Sequence, residues 1–301
     1  MPRRDEPGFA DVSVVIPAYQ AASTVERALA SIAAQTCKPR EAVVVDDGST
    51  DGTAEVARAF APEMKGIELR VVRTEDNRGA GAARNRAIAE STRPILAFLD
   101  ADDEWLPEKL ARSLARLDEG DYVLVTHDYW TGEGDAARHH HCERRFREYP
   151  DPFVGLYRKG YIPSCSVVTR REAVAAAGGF DEGLRSAQDF DLWLAMLREP
   201  GTPFLVFGEP LLRYYHATPG GIMSHTRRRL RCGLAIAVRY YPDLRSRSGS
   251  ALVSLWFRVV ALHLEAIQAY WDRGGVGGLL MALKVICQLP VRLLTTTLAS
   301  R

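Results

Sequence analysis

The chain has 301 residues, 47% of them hydrophobic, and a formal net charge of +1. That length and apolar content suffice for a core in one large domain, or one domain with an appended module, and near-neutrality gives no global drive toward nucleic acid. The five cysteines (Cys37, Cys142, Cys165, Cys232 and Cys287) include no Cys-x-x-Cys pair, so neither a zinc site nor a disulfide framework is indicated and a reducing cytosol fits.

The polar start, Met1 to Pro7, leads at once into a strand and leaves no room for the apolar core of a signal peptide, so a cytoplasmic protein is expected. Val12-Ser13-Val14-Val15-Ile16 reads as that strand, and Ser23-Thr24-Val25-Glu26 as a capping box opening a helix with Val25, Leu29 and Ile32 on one face. The unit recurs. Ala42 to Val45 precedes Asp46-Asp47-Gly48-Ser49 and a helix near Thr53 to Phe60; Leu69 to Val72 precedes Asn77-Arg78-Gly79 and a helix near Ala80 to Ser91. Pro94 to Leu99 and Tyr122 to Thr126 are further strands.

Nearly continuous apolar strands separated by helices predict an α/β fold, a mostly parallel sheet covered on both faces. Function in that architecture sits at the carboxyl ends of the strands. Here those ends carry Pro17-Ala18-Tyr19-Gln20, Asp46-Asp47-Gly48-Ser49 and Asp100-Ala101-Asp102-Asp103. Three aspartates so close together repel one another unless a cation or hydrogen-bond donors offset the charge, which points to a metal. The alternative is a solvated loop capping the next helix, with Pro107 at its first position.

From Gly132 to Arg147 the chain is polar and reads as an irregular insertion, with His139-His140-His141 exposed on a loop rather than gathered on an ion. Ser166-Val167-Val168 is strand-like, a helix follows near Arg171 to Ala177, and Gly178-Gly179-Phe180-Asp181-Glu182 makes a turn before helical spacing from Asp189 to Arg198. Beyond about Ser224 the pattern is wholly helical and reads as a C-terminal appendage. Val276 to Leu294 is apolar but broken by Lys284, Gln288, Pro290 and Arg292, short of the roughly 18 uninterrupted apolar residues of a spanning helix. Lys284, Gln288 and Arg292 recur every four residues on one face, so the last helix is amphipathic: either it lies on a membrane or it packs on the domain.

In their order and spacing these motifs resemble those of family 2 glycosyltransferases: Val12 to Tyr19, Val44 to Thr53, Asn77-Arg78-Gly79 with Ala83-Arg84-Asn85, Asp100 to Asp103, and Gly179-Phe180-Asp181-Glu182 with Gln188-Asp189. The resemblance covers about Asp11 to Tyr215. It implies a GT-A fold over residues 1–223, with a nucleotide-sugar half near 11–126 and an acceptor half near 127–223, followed by a helical region over 224–301. It also implies a nucleoside-diphosphate sugar donor, with UDP favoured, Mg²⁺ or Mn²⁺ as cofactor, and inversion at the anomeric carbon. Carried over residue by residue, Pro17 and Tyr19 meet the base, Asp47 accepts from a base N–H, and Asp46 supports the loop or the ribose. Arg84, beside a helix N-terminus whose N–H groups are available to phosphate, either faces the phosphate or nucleotide or forms a structural ion pair. Asp102 binds the metal, and Asp100 holds the ribose or completes the metal shell. Asp189 takes the proton from the acceptor hydroxyl, although Gln188 stands where the family usually has glutamate. Asp191 and Trp193 pack or line the acceptor groove.

Two other classes compete with an inverting sugar transferase. A sugar-phosphate nucleotidyltransferase would place a Gly-rich basic loop after the first strand, where this chain has Pro17-Ala18-Tyr19-Gln20; a non-catalytic nucleotide-sugar-binding subunit would not need Asp100, Asp102 and Asp189 together. The acceptor, a glycan or a lipid-linked saccharide, has no readable motif. Basic clusters at Arg144, Arg145 and Arg147 and at Arg227 to Arg231 suit a lipid-linked diphosphate or an anionic glycan, or are a solvated face. Peripheral attachment at the inner face of the cell membrane would follow if the last helix binds lipid.

Overall fold

A computed structural model of the chain describes residues 8–132, 134–215, 225–247, 249–272 and 274–299. The strand-helix alternation read from the sequence runs through the first half: β1 (Phe9–Ala18), α1 (Val25–Ala33), β2 (Lys38–Asp46), α2 (Thr53–Ala59), β3 (Glu68–Arg73), α3 (Ala80–Glu90) and β4 (Ile95–Phe98). A two-residue strand β5 (Glu104–Trp105), α4 (Lys109–Asp118) and β6 (Leu124–His127) follow. The middle of the chain holds β7 (Tyr129–Thr131), β8 (Arg138–His140), α5 (Cys142–Arg147), α6 (Pro152–Lys159), β9 (Val168–Arg170), α7 (Arg171–Ala176), α8 (Gln188–Met196), β10 (Phe204–Phe207) and β11 (Leu212–Tyr214). Three helices close the chain: α9 (Thr226–Arg239), α10 (Ala251–Trp271) and α11 (Gly275–Ala299).

A seven-stranded sheet has the order β10-β6-β9-β4-β1-β2-β3. All its pairings are parallel except those of β9, which runs antiparallel to both β4 and β6. Strand alternation loads both faces: β1 sends Val12, Val14 and Ile16 to one core with Leu29 and Ile32 of α1, and Val15 to the other with Phe98, Phe180 and Trp193. Because β9 is reversed, the edge that holds the carboxyl ends of β1, β2 and β4 also receives the residues entering β9, namely Ser164, Cys165 and Ser166.

Three expectations change. The capping box does not form: Thr24 makes no side-chain cap, and the Val25 N–H is met instead by the Ala21 carbonyl at 2.9 Å. The segment from 132 to 147, expected to be irregular, carries β8 and α5, and β7 and β8 form a hairpin in a second sheet ordered β5-β11-β7-β8. The C-terminal helices are not uniformly an appendage, since Leu234, Ile236, Leu255 and Val259 of α9 and α10 belong to the same core as Phe153, Tyr157 and Trp193. The boundary expected at 223/224 lies outside the described residues, as do Met1 to Pro7.

Lys109 stands out in this core. Its side chain is wholly buried, Nζ lies 4.0 Å from the centre of the Trp105 ring, and it has no hydrogen-bond partner. Burial pushes its pKa well below the ordinary lysine value. Between the folded and unfolded values the unfolded chain binds a proton that the folded chain does not, so the penalty is present at lower pH and fades as pH rises toward the unfolded lysine value. Lys109→Met should raise stability at pH 7 by about 1–3 kcal/mol, with a gain that shrinks above roughly pH 10. Urea denaturation of both proteins across that range checks the sign and the pH trend.

Candidate active site

Six chain segments meet at the carboxyl edge of the large sheet: the ends of β1 and β2, the N-terminal halves of α3 and α8, the turn after β4 and the residues entering β9. The first is the end of β1, where Pro17 is buried and Tyr19 is 51% exposed. Gln20 then takes a positive φ of 50°, and its N–H donates to Ser49 Oγ at 2.9 Å. Ala21 and Ala22 N–H groups donate to Thr53 Oγ1 and Asp51 Oδ2, so the loop carrying Tyr19 is stitched to the loop after β2. Tyr19 is thus not a core residue, and its ring, on a fixed backbone, is open to solvent.

Asp46 ends β2 and Asp47 follows it, and both are buried. Asp46 Oδ1 accepts from Ser49 N–H at 3.0 Å and closes the turn, while its Oδ2 has no hydrogen-bond partner. Asp47 accepts from two backbone N–H groups, Arg78 on Oδ1 at 3.0 Å and Gly79 on Oδ2 at 2.6 Å. The carboxylate thus serves as the anion at the start of α3, and these two N–H groups, expected to be available to phosphate, are already satisfied. Gly48 makes the approach possible: its φ is +73°, and a Cβ there would lie 2.9 Å from the Asp76 carbonyl carbon.

From α3, Arg84 points into the site with 5% exposure, and its Nη2 donates to Asp100 Oδ1 at 2.5 Å. Burial opposes its charge, but the fields of Asp100 and Asp189 outweigh it and raise the Arg84 pKa. Its neighbour Asn85 clamps the Gly-Phe-Asp-Glu turn, accepting from Phe180 N–H at 2.9 Å and donating to the Phe180 carbonyl at 2.8 Å. Asp189, at the first turn of α8, accepts from Ser164 Oγ at 2.9 Å on Oδ2 and from Phe190 N–H on Oδ1. It is not the N-cap of α8, a place taken by Ala187. Gln188 is buried, with its Nε2 lacking a hydrogen-bond partner.

The acidic run after β4 folds into a turn in which Asp103 N–H donates to the Asp100 carbonyl at 3.1 Å. Asp100 and Asp103 have ligand atoms within 4.8 Å of each other and of Cys165 Sγ, whereas Asp102, expected to pair with Asp100, is outside that group. Asp102 is half-buried at the mouth, and its carbonyl accepts from Arg27 Nη2 at 2.5 Å. Asp103 is 1% exposed; burial first, then the charges of Asp100 and Asp102, push its pKa well above the carboxylate range. Burial also raises the Cys165 thiol well above its usual value, and a protonated thiol is no ligand for a hard cation. Arg84 compensates Asp100, while Asp103 Oδ2 is buried with no hydrogen-bond partner, and a set of carboxylate oxygens suits Mg²⁺ or Mn²⁺.

Asp191 and Trp193 lie behind the site. Asp191 Oδ1 and Asp181 Oδ2 are bridged by Arg239 of α9, each at 2.8 Å, and Trp193 is fully buried edge-on to Phe98 and Phe180. Sequence reading missed Ser164, Cys165, Arg27 and Arg239 as parts of this site. No local pattern marks them; each arrives by a long-range contact.

Residues 13–178, more than half of the chain, match the sequence profile of Glycosyl transferase family 2. The chain belongs to glycosyltransferase family 2. This glycosyltransferase is 38% identical over 199 residues to the succinoglycan biosynthesis protein ExoU of Rhizobium meliloti, a match covering 62% of the chain and 57% of ExoU. It is 29% identical over 217 residues to the amylovoran biosynthesis glycosyltransferase AmsB of Erwinia amylovora, covering 69% of the chain and 71% of AmsB. Among solved structures, S. aureus TarS 1-349 in complex with UDP-GlcNAc superposes with a TM-score of 0.67 at 18% identity, covering 96% of the chain and 88% of that protein. The mannosyltransferase PcManGT of Pyrobaculum calidifontis, solved with GDP-Man and Mn²⁺, gives a TM-score of 0.60 at 20% identity, covering 100% of the chain and 89% of that protein. The fold of the glycosyltransferase is therefore of GT-A type, with a mostly parallel sheet and C-terminal helices.

The Asp47 contacts can be tested without any ligand. Asp47→Asn keeps the shape but turns one acceptor into an NH₂ donor facing a backbone N–H, and should cost about 1–3 kcal/mol of stability. Equilibrium denaturation in urea measures the loss.

Proposed function

We propose that this glycosyltransferase moves a sugar from a nucleoside-diphosphate donor, with UDP favoured, to an acceptor hydroxyl in polysaccharide or glycolipid synthesis, with inversion at the anomeric carbon. The observation that carries the reading is the convergence of Arg84, Asp100 and Asp189 beside an exposed Tyr19 on one sheet edge. ExoU and AmsB are named for polysaccharide biosynthesis, and TarS and PcManGT were solved with nucleotide sugars, which supports the donor class.

In this reading Tyr19 stacks on the base against the wall that includes Pro17. Asp46 holds the turn beneath it. Asp47 serves the donor indirectly, by fixing the loop from Asn77 to Gly79. Arg84 keeps Asp100 ionised and oriented toward the ribose or the cation. Asp102 and Asp100 would hold Mg²⁺ or Mn²⁺, which when bound neutralises charge developing on the leaving diphosphate. Asp189 accepts the proton of the attacking hydroxyl from the face opposite the leaving group, with Ser164 orienting its carboxylate. Direct displacement needs no covalent intermediate.

Two variants test these roles separately. Asp102→Ala should abolish the Mn²⁺-dependent rise in melting temperature given by a nucleoside diphosphate while leaving the metal-free melting temperature near wild type. Asp189→Asn should lower turnover of a labelled donor by roughly a hundredfold or more, with donor affinity little changed. Undiminished metal-dependent binding in the first or near-normal turnover in the second removes the corresponding assignment. Binding of donors without turnover by the unaltered chain would favour a non-catalytic subunit.

The membrane part of the reading rests on α11. It runs unbroken through Pro290, and the windows in α10 and α11 are long and apolar enough to cross a membrane by length and composition, with mean hydropathies of 1.3 and 1.6. The amphipathic face is oriented opposite to a simple packed helix: Val276, Leu280, Val291 and Leu294 are each at least 60% exposed. Lys284, Gln288 and Arg292 line a cleft of about 620 Å³ with Arg227 and Arg231 of α9. Charges at mid-helix disfavour spanning and suit a helix lying in the headgroup plane of anionic lipid. Full-length protein should float with anionic vesicles, release in high salt, and lose binding in a Leu280→Glu/Leu294→Glu variant. Equal flotation of that variant would return α11 to an ordinary packing role.

A further inference from the structure

The hairpin formed by β7 and β8 gathers chemistry that the sugar-transfer reading does not use. Its register pairs Tyr129 with His140 and Trp130 with His139, which places Asp128 across from His141. Strand alternation then puts Asp128, Trp130, His139 and His141 on one face and Tyr129 and His140 on the other. The contacts follow that division. His140 stacks on Tyr129 with ring centroids 4.5 Å apart and meets Thr131 Oγ1 at 2.8 Å, while His139 and His141 both turn to Asp128.

His139 Nε2 lies 3.0 Å and His141 Nδ1 3.5 Å from the same carboxylate oxygen, Asp128 Oδ2, and the three ligand atoms all lie within 4.8 Å of one another. Ligands of a tetrahedral zinc ion at its usual bond lengths are separated by about 3.3 Å, a value those two distances bracket. A plain ion pair accounts for the geometry less well. His139 Nε2 is cut off from solvent and, although 3.0 Å from the carboxylate oxygen, has no hydrogen-bond partner, an orphaned ring nitrogen that a bound cation would satisfy.

The supports are those of a metal ligand set. Asp128 is 2% exposed, and its other oxygen accepts from Glu143 N–H at 2.9 Å, which holds Oδ2 toward the histidines. Trp130 packs 4.8 Å from the His139 ring, and the two histidine rings sit 3.9 Å apart. The His141 side chain is 56% exposed, so a fourth position is open to water. Two imidazoles and one carboxylate suit a borderline cation over the hard ions of the acidic turn.

We propose that Asp128, His139 and His141 form a zinc site that pins the β7–β8 hairpin to the end of β6. Because β7 pairs with β11, and β11 with β5 next to the acidic turn, such a clamp would fix the outer edge of the small sheet beside the active site.

The test uses full-length protein without a polyhistidine tag, stripped with a chelator and titrated with Zn²⁺ against a chromogenic competitor. Unaltered protein and Asp102→Ala should each show a single saturable site and a higher melting temperature with zinc. His139→Ala and His141→Ala should lose that site by at least tenfold in affinity, whereas His140→Ala, changed on the opposite face, should keep it. Co²⁺ bound in place of zinc should give the intense visible absorption of a tetrahedral N/O site, and lose it in the same two variants. Circular dichroism of the stripped variants separates lost ligands from lost folding. No saturable zinc binding by the unaltered chain, equal binding by both histidine variants, or loss of binding in Asp102→Ala would each overturn the proposal.

Discussion

A guanidinium taken almost wholly out of water must find carboxylates, and Arg84 is that group here. It sits on α3, donates to Asp100 at the end of β4, and feels the charge of Asp189 at the start of α8. Residues far apart in sequence are thereby held in one place before any substrate arrives. The next residue on the same helix, Asn85, clamps the backbone of Phe180, so one turn of α3 positions both the acidic edge and the turn that leads into α8.

Charge compensation also explains the loop geometry on the donor side. Asp47 fills the two N–H groups at Arg78 and Gly79, which brings the β2 turn so close to Asp76 that only glycine fits at position 48. The helix entrance is therefore already neutralised by a carboxylate of the chain itself. At the acidic turn the balance is reversed: Asp103 is forced toward its neutral form by burial and by Asp100 and Asp102. A cation at that turn would remove the repulsion that burial alone leaves.

The C-terminal helices divide by the same logic. Arg239 of α9 spans Asp181 and Asp191, tying the helix to the Gly-Phe-Asp-Glu turn and to α8, and Tyr157 and Tyr240 donate to main-chain carbonyls across the same contact. α11 has no comparable anchor among the described residues. Ala282 and Val285 pack with Ala266 and Tyr270 in a small cluster, Leu289 and Leu293 reach the main core, and Leu279, Leu280, Leu283, Leu294 and Leu298 face outward.

The sequence by itself determined the alternation of strands and helices, the polar carboxyl edge and the family motifs, because each is written in short-range periodicity or in contiguous residues. Strands such as β1 and β2 are long enough for their apolar runs to be read. β5, β7, β8 and β11 have two or three residues each, too few for any period, so the second sheet and the His139–His141 face emerge only from pairing between distant segments. Tertiary structure alone decided that Asp103 and Cys165 join Asp100 in one cluster, since a turn hydrogen bond and the entry to β9 bring them together. It also decided that Asp47 binds backbone, that Ser164 reaches Asp189 through the reversed β9, and that α11 turns its basic residues toward α9. In each case the deciding term is a hydrogen bond, charge or packing contact between residues far apart in the chain, and local propensity carries no record of it.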